Sequence, residues 1–492
     1  MNDTEALVVG GGISGLAVAQ RLARNGMRVE VWECESRPGG KIQSHCQNGY
    51  VTEKGAAMLL NFRPDVSRFL ADAGLDNAKQ LRAEVDHRYV VSGSELKEIP
   101  MKVGALVLSD VWSTRAKLRM LWEPFIAKGG QRDETVGEFV RRRLGPELLD
   151  KAMGPYVAGI FASDPELANA KSVLPRLVAL EQRYGSIAMG AFVHRVLRRK
   201  TATATEAFSF QGGMETLAQR LANTEGVCFR GEHTVTTLSR SRDGWRVAAN
   251  TTTGERVVHA AQLVLCTPAY TAAELLRERS AELSTLLDGI EYASLNVVHT
   301  GFDRGAIQHP LDGNGFLAQG LGGTPLIGSM WMSSLFNRRA PAGRALLSNY
   351  VGGALYPDTG AWSDARLLDA TITALRPLLG IRSDPEMVRI DRHRRAMPLY
   401  HGDYCSRMQR LKELLITQAG LYLAANYRDG IAVRDRLAAA MQTASMVIER
   451  ARAPASRRYS LPSLVPERHA LRRSVSGGGL IEKPNQQSRF VS

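Results

Sequence analysis

Val8–Gly15 reads VVGGGISG and Val29–Lys41 reads VEVWECESRPGGK. Between them, Leu16–Gly26 reads LAVAQRLARNG, with apolar residues at helical spacing. An apolar strand therefore enters Gly10-x-Gly12-x-x-Gly15, a helix follows at once, and a second strand over Arg28–Trp32 ends at Glu33. That order is what a βαβ dinucleotide site requires. Gly10 permits the tight turn, Gly12 lets backbone approach a pyrophosphate, and Gly15 lets the helix lie against the strand. The free N–H groups that open the helix, at Ile13 and Ser14, join the helix dipole in favouring the anion. Glu33 stands where ribose hydroxyls can be bound. A Gly-rich turn with no ligand would need none of the other three parts.

The chain has 492 residues, enough for two or three domains and a large core. Its 44% hydrophobic and 23% charged content is that of a soluble globular protein. The longest apolar run, Ala6–Ala19, is interrupted by three glycines and is better explained as strand plus turn than as a membrane span. Asp3 and Glu5 stand where a leader would carry cations, so a cytoplasmic location is expected. Five scattered cysteines without a CxxC pair or a histidine at ligand spacing indicate neither metal site nor disulfide framework; small core roles are expected. The formal net charge is +14, and residues 451–492 supply much of it, with seven Arg and one Lys against two Glu. This segment is also rich in Ser, Pro and Gly, so a disordered, solvated tail is expected, with contact to an anionic membrane surface as the functional alternative. No nucleic-acid-binding motif accompanies the charge.

Along the chain, TVGEFVRRRLGPELLDKAM (135–153) places Val136, Phe139, Val140, Leu144 and Leu148 at helical spacing. After Phe208 strand patterns return, and GLYLAANY (420–427) is a buried strand before a long helix that opens after Gly430. The expected fold class is α/β: a split Rossmann-like FAD-binding domain, a strand-rich substrate domain and an inserted helical domain. The FAD-binding domain takes 1–82, 226–286 and 412–450. The helical domain takes 83–194, the substrate domain 195–225 and 287–411, and the basic tail 451–492.

FAD is preferred to NAD on residues that follow the fingerprint. Arg37-Pro38-Gly39-Gly40-Lys41 offers a second place where backbone and cation meet phosphate or ring edges, and Gly55-Ala56 offers another close-approach segment. The late helix begins at Ile431-Ala432-Val433, and its positive end would stabilise negative charge on a reduced flavin without any titrating side chain.

At this point the sequence resembles the protoporphyrinogen oxidases of the FAD-dependent amine oxidase superfamily, most of all the plastid and cyanobacterial type. The resemblance runs from about residue 5 to 450. Its carriers are TVGEFVRRRLGPELLDKAMGPYVAGIFASDP, LEQRYGSI, FSFQGGMETL, SSLFNRRAPAGRALLSNYVGGA and GLYLAANYRDGIAV. It implies a flavoenzyme that withdraws electrons pairwise from protoporphyrinogen IX, with O2 as acceptor and H2O2 as product, in heme or tetrapyrrole synthesis. The flavin carries the chemistry, so no catalytic side chain is implied. Arg88 would pair with a propionate, bidentate and charge-assisted. Gly159 would leave room for the macrocycle, and an aromatic wall would fall on Asn314 or Phe316. Val235 and Asn426 would join the cofactor contacts. The resemblance leaves open a homodimer and a membrane-facing role for the helical domain, peripheral to the inner face of the membrane.

Other readings use the same scaffold. Coproporphyrinogen III has four carboxylates, for which Arg392-His393-Arg394-Arg395 could add cations, although such a run is more often a solvated loop. An FAD-dependent amine or secondary-metabolite oxidase or desaturase is an alternative, and so is a flavin-binding scaffold without turnover.

Overall fold

β1 (Thr4–Val9), α1 (Ile13–Ala23) and β2 (Val29–Trp32) form the expected βαβ unit, with β1 and β2 parallel. The computed structural model describes residues 4–85, 87–93, 95–99, 109, 111–129, 133–197 and 205–453. β1 is central because both of its faces are apolar: Ala6, Leu7 and Val8 have no solvent exposure. Strand Val227–Arg230 extends the parallel sheet beyond β2. Strand Gly254–Leu265 flanks β1 on the other side and carries Leu421–Leu423, also parallel. The first half of Gly254–Leu265 instead joins an antiparallel meander with Gly244–Thr251 and Thr234–Ser241. Three distant stretches of chain thus build one mixed α/β layer.

The C-terminal helix Val433–Arg452 lies along α1. Small residues on both, Ala17, Ala440 and Ala444 among them, let the axes approach, and Leu16, Leu437 and Val447 fill the seam. Residues 206–222 join this same core through Phe208, Phe210, Leu217 and Leu221. The structure therefore corrects their expected place in the substrate domain. A run of aromatic strand residues does not say which sheet it will cover.

The second sheet has the order Met387–Pro398, Tyr292–Asp303, Arg344–Gly352, Leu326–Trp331, Gly313–Leu317, His87–Ser92, Glu95–Glu98. One face packs on helix Asp364–Leu379 through Val298, Phe302, Trp331, Leu347, Leu367 and Leu375. The opposite face meets Tyr50 and Ala57 from the dinucleotide side through Met332, Leu335 and Leu346. His87–Ser92 and Glu95–Glu98 are strands of this sheet, which corrects their expected place in the helical block. The block itself holds helices from Thr114 to Leu197. There the expected continuous helix is broken: Val136–Arg143 stops before Gly145 (φ +96°) and Pro146, and a π turn over Leu149–Met153 precedes helix Gly154–Phe161. Fully buried Arg143 pairs with Glu123 and ties these helices together.

The cysteines are also corrected: Cys34 and Cys46 are exposed and the other three half-buried. No described helix is long and apolar enough to cross a membrane. Of the tail expected at 451–492, Ala451 and Arg452 belong to the C-terminal helix, and the residues beyond 453 lie outside the described residues.

Candidate active site

The glycines of the first loop divide by what surrounds them. A Cβ at Gly15 would stand 2.0 Å from the Gly10 carbonyl oxygen, so Gly15 is a packing necessity. Gly10 turns at φ +105° against the Cys266 backbone. Around Gly12 a Cβ would meet nothing within 4 Å. No side chain caps α1 at Gly12, so the first N–H groups, at Ile13 and Ser14, have no capping side chain to satisfy them. The second loop lies directly on the first. The Gly39 N–H donates to the Gly11 carbonyl at 2.8 Å, and Gly40 (φ +57°) would set a Cβ 3.3 Å from Gly12 Cα. Two glycine segments separated in sequence thus form one backbone cradle, the fit that an elongated dinucleotide requires.

Glu33 closes the end of β2. It is 8% exposed, and its carboxylate accepts the Gly11 N–H at 2.6 Å and the Glu35 N–H at 3.1 Å. Arg37, expected as a ligand cation, donates to the Gly40 carbonyl at 3.1 Å and Gln43 Oε1 at 2.7 Å, so it clamps the loop. Lys41 reaches the carbonyls of Arg395 (2.8 Å) and Ala396 on the second sheet. Its side chain still touches solvent, but protein crowding around the ammonium pushes its pKa down to about 8. Gly55 abuts the same place: a Cβ there would stand 2.5 Å from the Lys41 carbonyl oxygen, with half-buried Ala56 beside it. Val235 packs at the margin of the core that contains Val9 and Trp32.

The last strand delivers Asn426, whose carbonyl accepts the Tyr400 hydroxyl at 2.7 Å. The chain then passes Ile431 and starts its helix at Val433, with Ala432 as a cap that offers no side-chain hydrogen bond. A second helix start without a side-chain cap thus opens at the carboxyl end of the parallel strands. The two uncapped helix starts, on β1 and on Leu421–Leu423, lie at the same edge of one sheet, where ligands of such sheets bind.

The residues expected to hold substrate separate. Arg88 is exposed on strand His87–Ser92, and burial of its stem together with the nearby charge of Arg82 lowers its pKa. It makes no ion pair among the described residues. Phe316 is 2% exposed in the core under helix Asp364–Leu379, so it is not a substrate wall. Asn314 faces elsewhere and accepts a hydrogen bond from Arg82 Nη1 at 2.9 Å. Gly159 is likewise corrected: a Cβ there would stand 2.6 Å from Leu317 Cδ2 and 3.0 Å from the Ile327 carbonyl oxygen. Its room is filled by protein and lets helix Gly154–Phe161 touch the second sheet. Arg392–Arg395 is a strand, not a loop: Arg392 pairs with Asp364, His393 meets the Lys54 carbonyl at 2.7 Å, and Arg395 stacks on Tyr270.

Comparison with known proteins places this arrangement. The sequence model of the flavin containing amine oxidoreductases matches residues 13–447. The chain belongs to that family. Relatives of this family member include protoporphyrinogen oxidase 2 of Arabidopsis thaliana, 29% identical, covering 90% of this chain and 93% of the relative. The mitochondrial protoporphyrinogen oxidase of Nicotiana tabacum is 28% identical and covers 90% and 94%. The coproporphyrinogen III oxidase of Bacillus subtilis is 26% identical and covers 87% and 94%. A crystal structure from Exiguobacterium sp. 255-15 shares the fold with a TM-score of 0.76 at 24% identity, covering 91% of this chain and all of that one. The chain is an oxidoreductase of a flavin-containing family.

Three features of the candidate site's framework escaped the sequence reading. Arg436, in the first turn of the C-terminal helix, is 2% exposed and donates to the carbonyls of Ala425 and Arg428, fixing the loop that precedes the helix. An arginine among the apolar positions that pack against α1 was the available signal. Glu53 and Arg339 form a buried pair at 2.6 Å that pins the second sheet to the dinucleotide half. No pattern pairs residues so far apart. Arg82 is the third.

Proposed function

We propose that the chain binds FAD in the double-glycine cradle and oxidises protoporphyrinogen IX to protoporphyrin IX, with O2 as acceptor and H2O2 as product. The observation that supports this reading is the pair of uncapped helix starts with open space over Gly12, together with Arg88 on the second sheet, which makes no ion pair among the described residues. FAD, when bound, supplies the two-electron chemistry. The chain supplies the rest: Gly12, Ile13 and Ser14 meet the pyrophosphate, Glu33 the ribose, and the N-terminus of the C-terminal helix the edge of the ring that gains charge. The relatives support a porphyrinogen of either kind, including the coproporphyrinogen III acted on by the Bacillus subtilis relative. The engagement of Arg392 by Asp364 and of Arg395 by Tyr270 favours the substrate with fewer carboxylates.

The same proposal places the helical block at an anionic membrane surface. Leu118, Leu121, Trp122 and Phe125 are more than 60% exposed, with Arg115 exposed on the same helix. Co-sedimentation with anionic but not neutral vesicles, lost in a Trp122→Ser and Phe125→Ser variant, is the expected outcome.

The catalytic test is porphyrin fluorescence against time, with FAD-loaded protein in air and protoporphyrinogen or coproporphyrinogen as substrate. Faster growth with protoporphyrinogen than with coproporphyrinogen or a blank is expected. Preference for coproporphyrinogen overturns the substrate assignment, and growth at the blank rate with both overturns the porphyrinogen reading.

A further inference from the structure

Gly313-Asn314-Gly315-Phe316 does not run as a regular strand. Gly313 pairs with His87 and Phe316 with Tyr89, so three steps on one strand stand against two on its parallel neighbour. This is a bulge, and it reverses the side on which the next residues point. The glycines make it feasible. Gly315 has φ +120°, where a Cβ would come 1.9 Å from the Ser329 carbonyl oxygen, and a Cβ at Gly313 would come 2.6 Å from that of His87. Phe316 and Tyr89 consequently share the core beneath helix Asp364–Leu379. Arg88, between His87 and Tyr89, lies on the other face; Asn314, next to Gly313, falls on that face beside it by alternation, and the bulge returns Phe316 to the core.

Arg82 comes to the same spot from the preceding segment. Its backbone N–H is held by the Ala207 carbonyl at 2.8 Å and its Nη1 by Asn314 Oδ1 at 2.9 Å. Val85, between the two arginines, packs against the cluster that contains Tyr50 and Ala57. The stretch that bears the pair is therefore anchored on the same cluster as Ala57, which follows the Gly55-Ala56 segment in the chain. Two guanidinium groups stand close enough for one charge to act on the other, and no described carboxylate forms an ion pair with either. The nearby Asp312 carboxylate takes the Tyr89 hydroxyl at 2.8 Å. Holding like charges together without a counter-ion is unfavourable, and a ligand with two acidic groups relieves it.

We infer that Arg82 and Arg88 form a paired subsite for two neighbouring carboxylates on one edge of the substrate, with Asn314 as the residue that positions Arg82. This rests on the porphyrinogen reading and deepens it. Protoporphyrinogen IX carries both of its carboxylates on adjacent pyrroles, and coproporphyrinogen III carries the same adjacent pair with two further carboxylates elsewhere on the ring. A single paired subsite thus orients either macrocycle by its adjacent acids, and the surroundings of the opposite edge set the choice between them. Each guanidinium makes a charge-assisted contact, so loss of one is expected to cost about tenfold in affinity.

The test is fluorescence titration of FAD-loaded protein with protoporphyrin IX and with its dimethyl ester, beside the rate assay. Wild type is expected to bind the diacid about tenfold or more tightly than the diester. Arg82→Met should lower diacid affinity about tenfold, as Arg88→Met does, and leave the diester unchanged. Arg82→Lys should retain part of the preference. Asn314→Asp, which gives Arg82 an internal carboxylate on a half-buried surface, should weaken the diacid alone. An unchanged diacid-to-diester ratio in Arg82→Met, with the ratio collapsed in Arg88→Met, would overturn the pair while the oxidase reading stands. Wild type that oxidises protoporphyrinogen yet binds acid and ester alike would also overturn it. Protein that neither oxidises a porphyrinogen nor binds either porphyrin would overturn both readings.

Discussion

The dinucleotide half and the second-sheet half make their sites by different means. Around Gly10–Gly15 and Gly39–Gly40 the site is backbone, and each glycine answers a local demand: a positive φ, a near carbonyl, or open space. On the second sheet the candidate site is side chains, and which of them share a face depends on one bulge at Asn314-Gly315 and on pairing across strands distant in sequence. The first kind of site can be read from spacing. The second cannot, because one extra residue in a strand exchanges core and cavity.

The largest expected effect separates two glycines of the same motif. Gly15→Ala puts a methyl carbon 2.0 Å from a backbone oxygen that cannot move without unmaking the turn, so a loss of about 4 kcal/mol or more is expected. Poor expression and a collapsed thermal transition, with or without FAD, would show it. Gly12→Val should do the reverse. Gly12 is extended (φ −72°, ψ 178°) in open space, so the apoprotein keeps its melting temperature while FAD is no longer retained on gel filtration. A yellow, fully loaded Gly12→Val protein would break the claim that this space is for a ligand.

The next effect sharpens the contrast on the other side. Gly159→Ala should destabilise by about 1–3 kcal/mol, through overpacking against Leu317 and the Ile327 carbonyl. Leu317→Ala in the same chain should recover part of that loss, because it clears the nearer contact. If Gly159→Ala leaves unfolding unchanged but raises KM, the residue borders substrate after all, and the helix-packing account is wrong.

Much of the fold was visible in advance: β1, α1, β2, Glu33, the late strand and the late helix stand within a few residues of their expected places. These are elements whose hydrophobic period and punctuation agree. The misplacements share a cause. Residues 206–222 and His87–Ser92 have clear local character, but the strands that decide their place lie more than a hundred residues away, and no period encodes a partner. Of the candidate site, the cradle glycines were recoverable because their constraint is local. Phe316 and Gly159 were misassigned because a resemblance carries a residue type to a position without its orientation. Arg82 was overlooked because its significance arises only once strand pairing brings Asn314 beside Arg88.

The smallest effect concerns how the two halves respond to acid. His299, His309, His393 and His401 all lie on the second-sheet half, and burial is the leading cause that lowers the pKa of each. His299, fully buried with Nδ1 at 2.8 Å from Ser348 Oγ, is the strongest case. A histidine with a folded pKa below its unfolded value takes up a proton on unfolding once the pH falls under about 6.5. Its contribution is intact above that pH, declines as the pH descends through it, and stops changing below the folded pKa. For His299 the slope is at most about 1.4 kcal/mol per pH unit. Asp391, beside His299 and Arg389, acts in a separate window. Burial raises its pKa, but the His299 and Arg389 contacts outweigh this and hold it at about 2, so its contribution is lost as the pH falls from the ordinary carboxylate range towards 2. Urea unfolding between pH 8 and 5 should therefore show stability falling mainly below 6.5, and His299→Gln should flatten that slope even while lowering stability at pH 8. An equal slope in the variant would mean that acid reaches the protein elsewhere, and the division between a backbone-built half and a side-chain-built half would not extend to its response to pH.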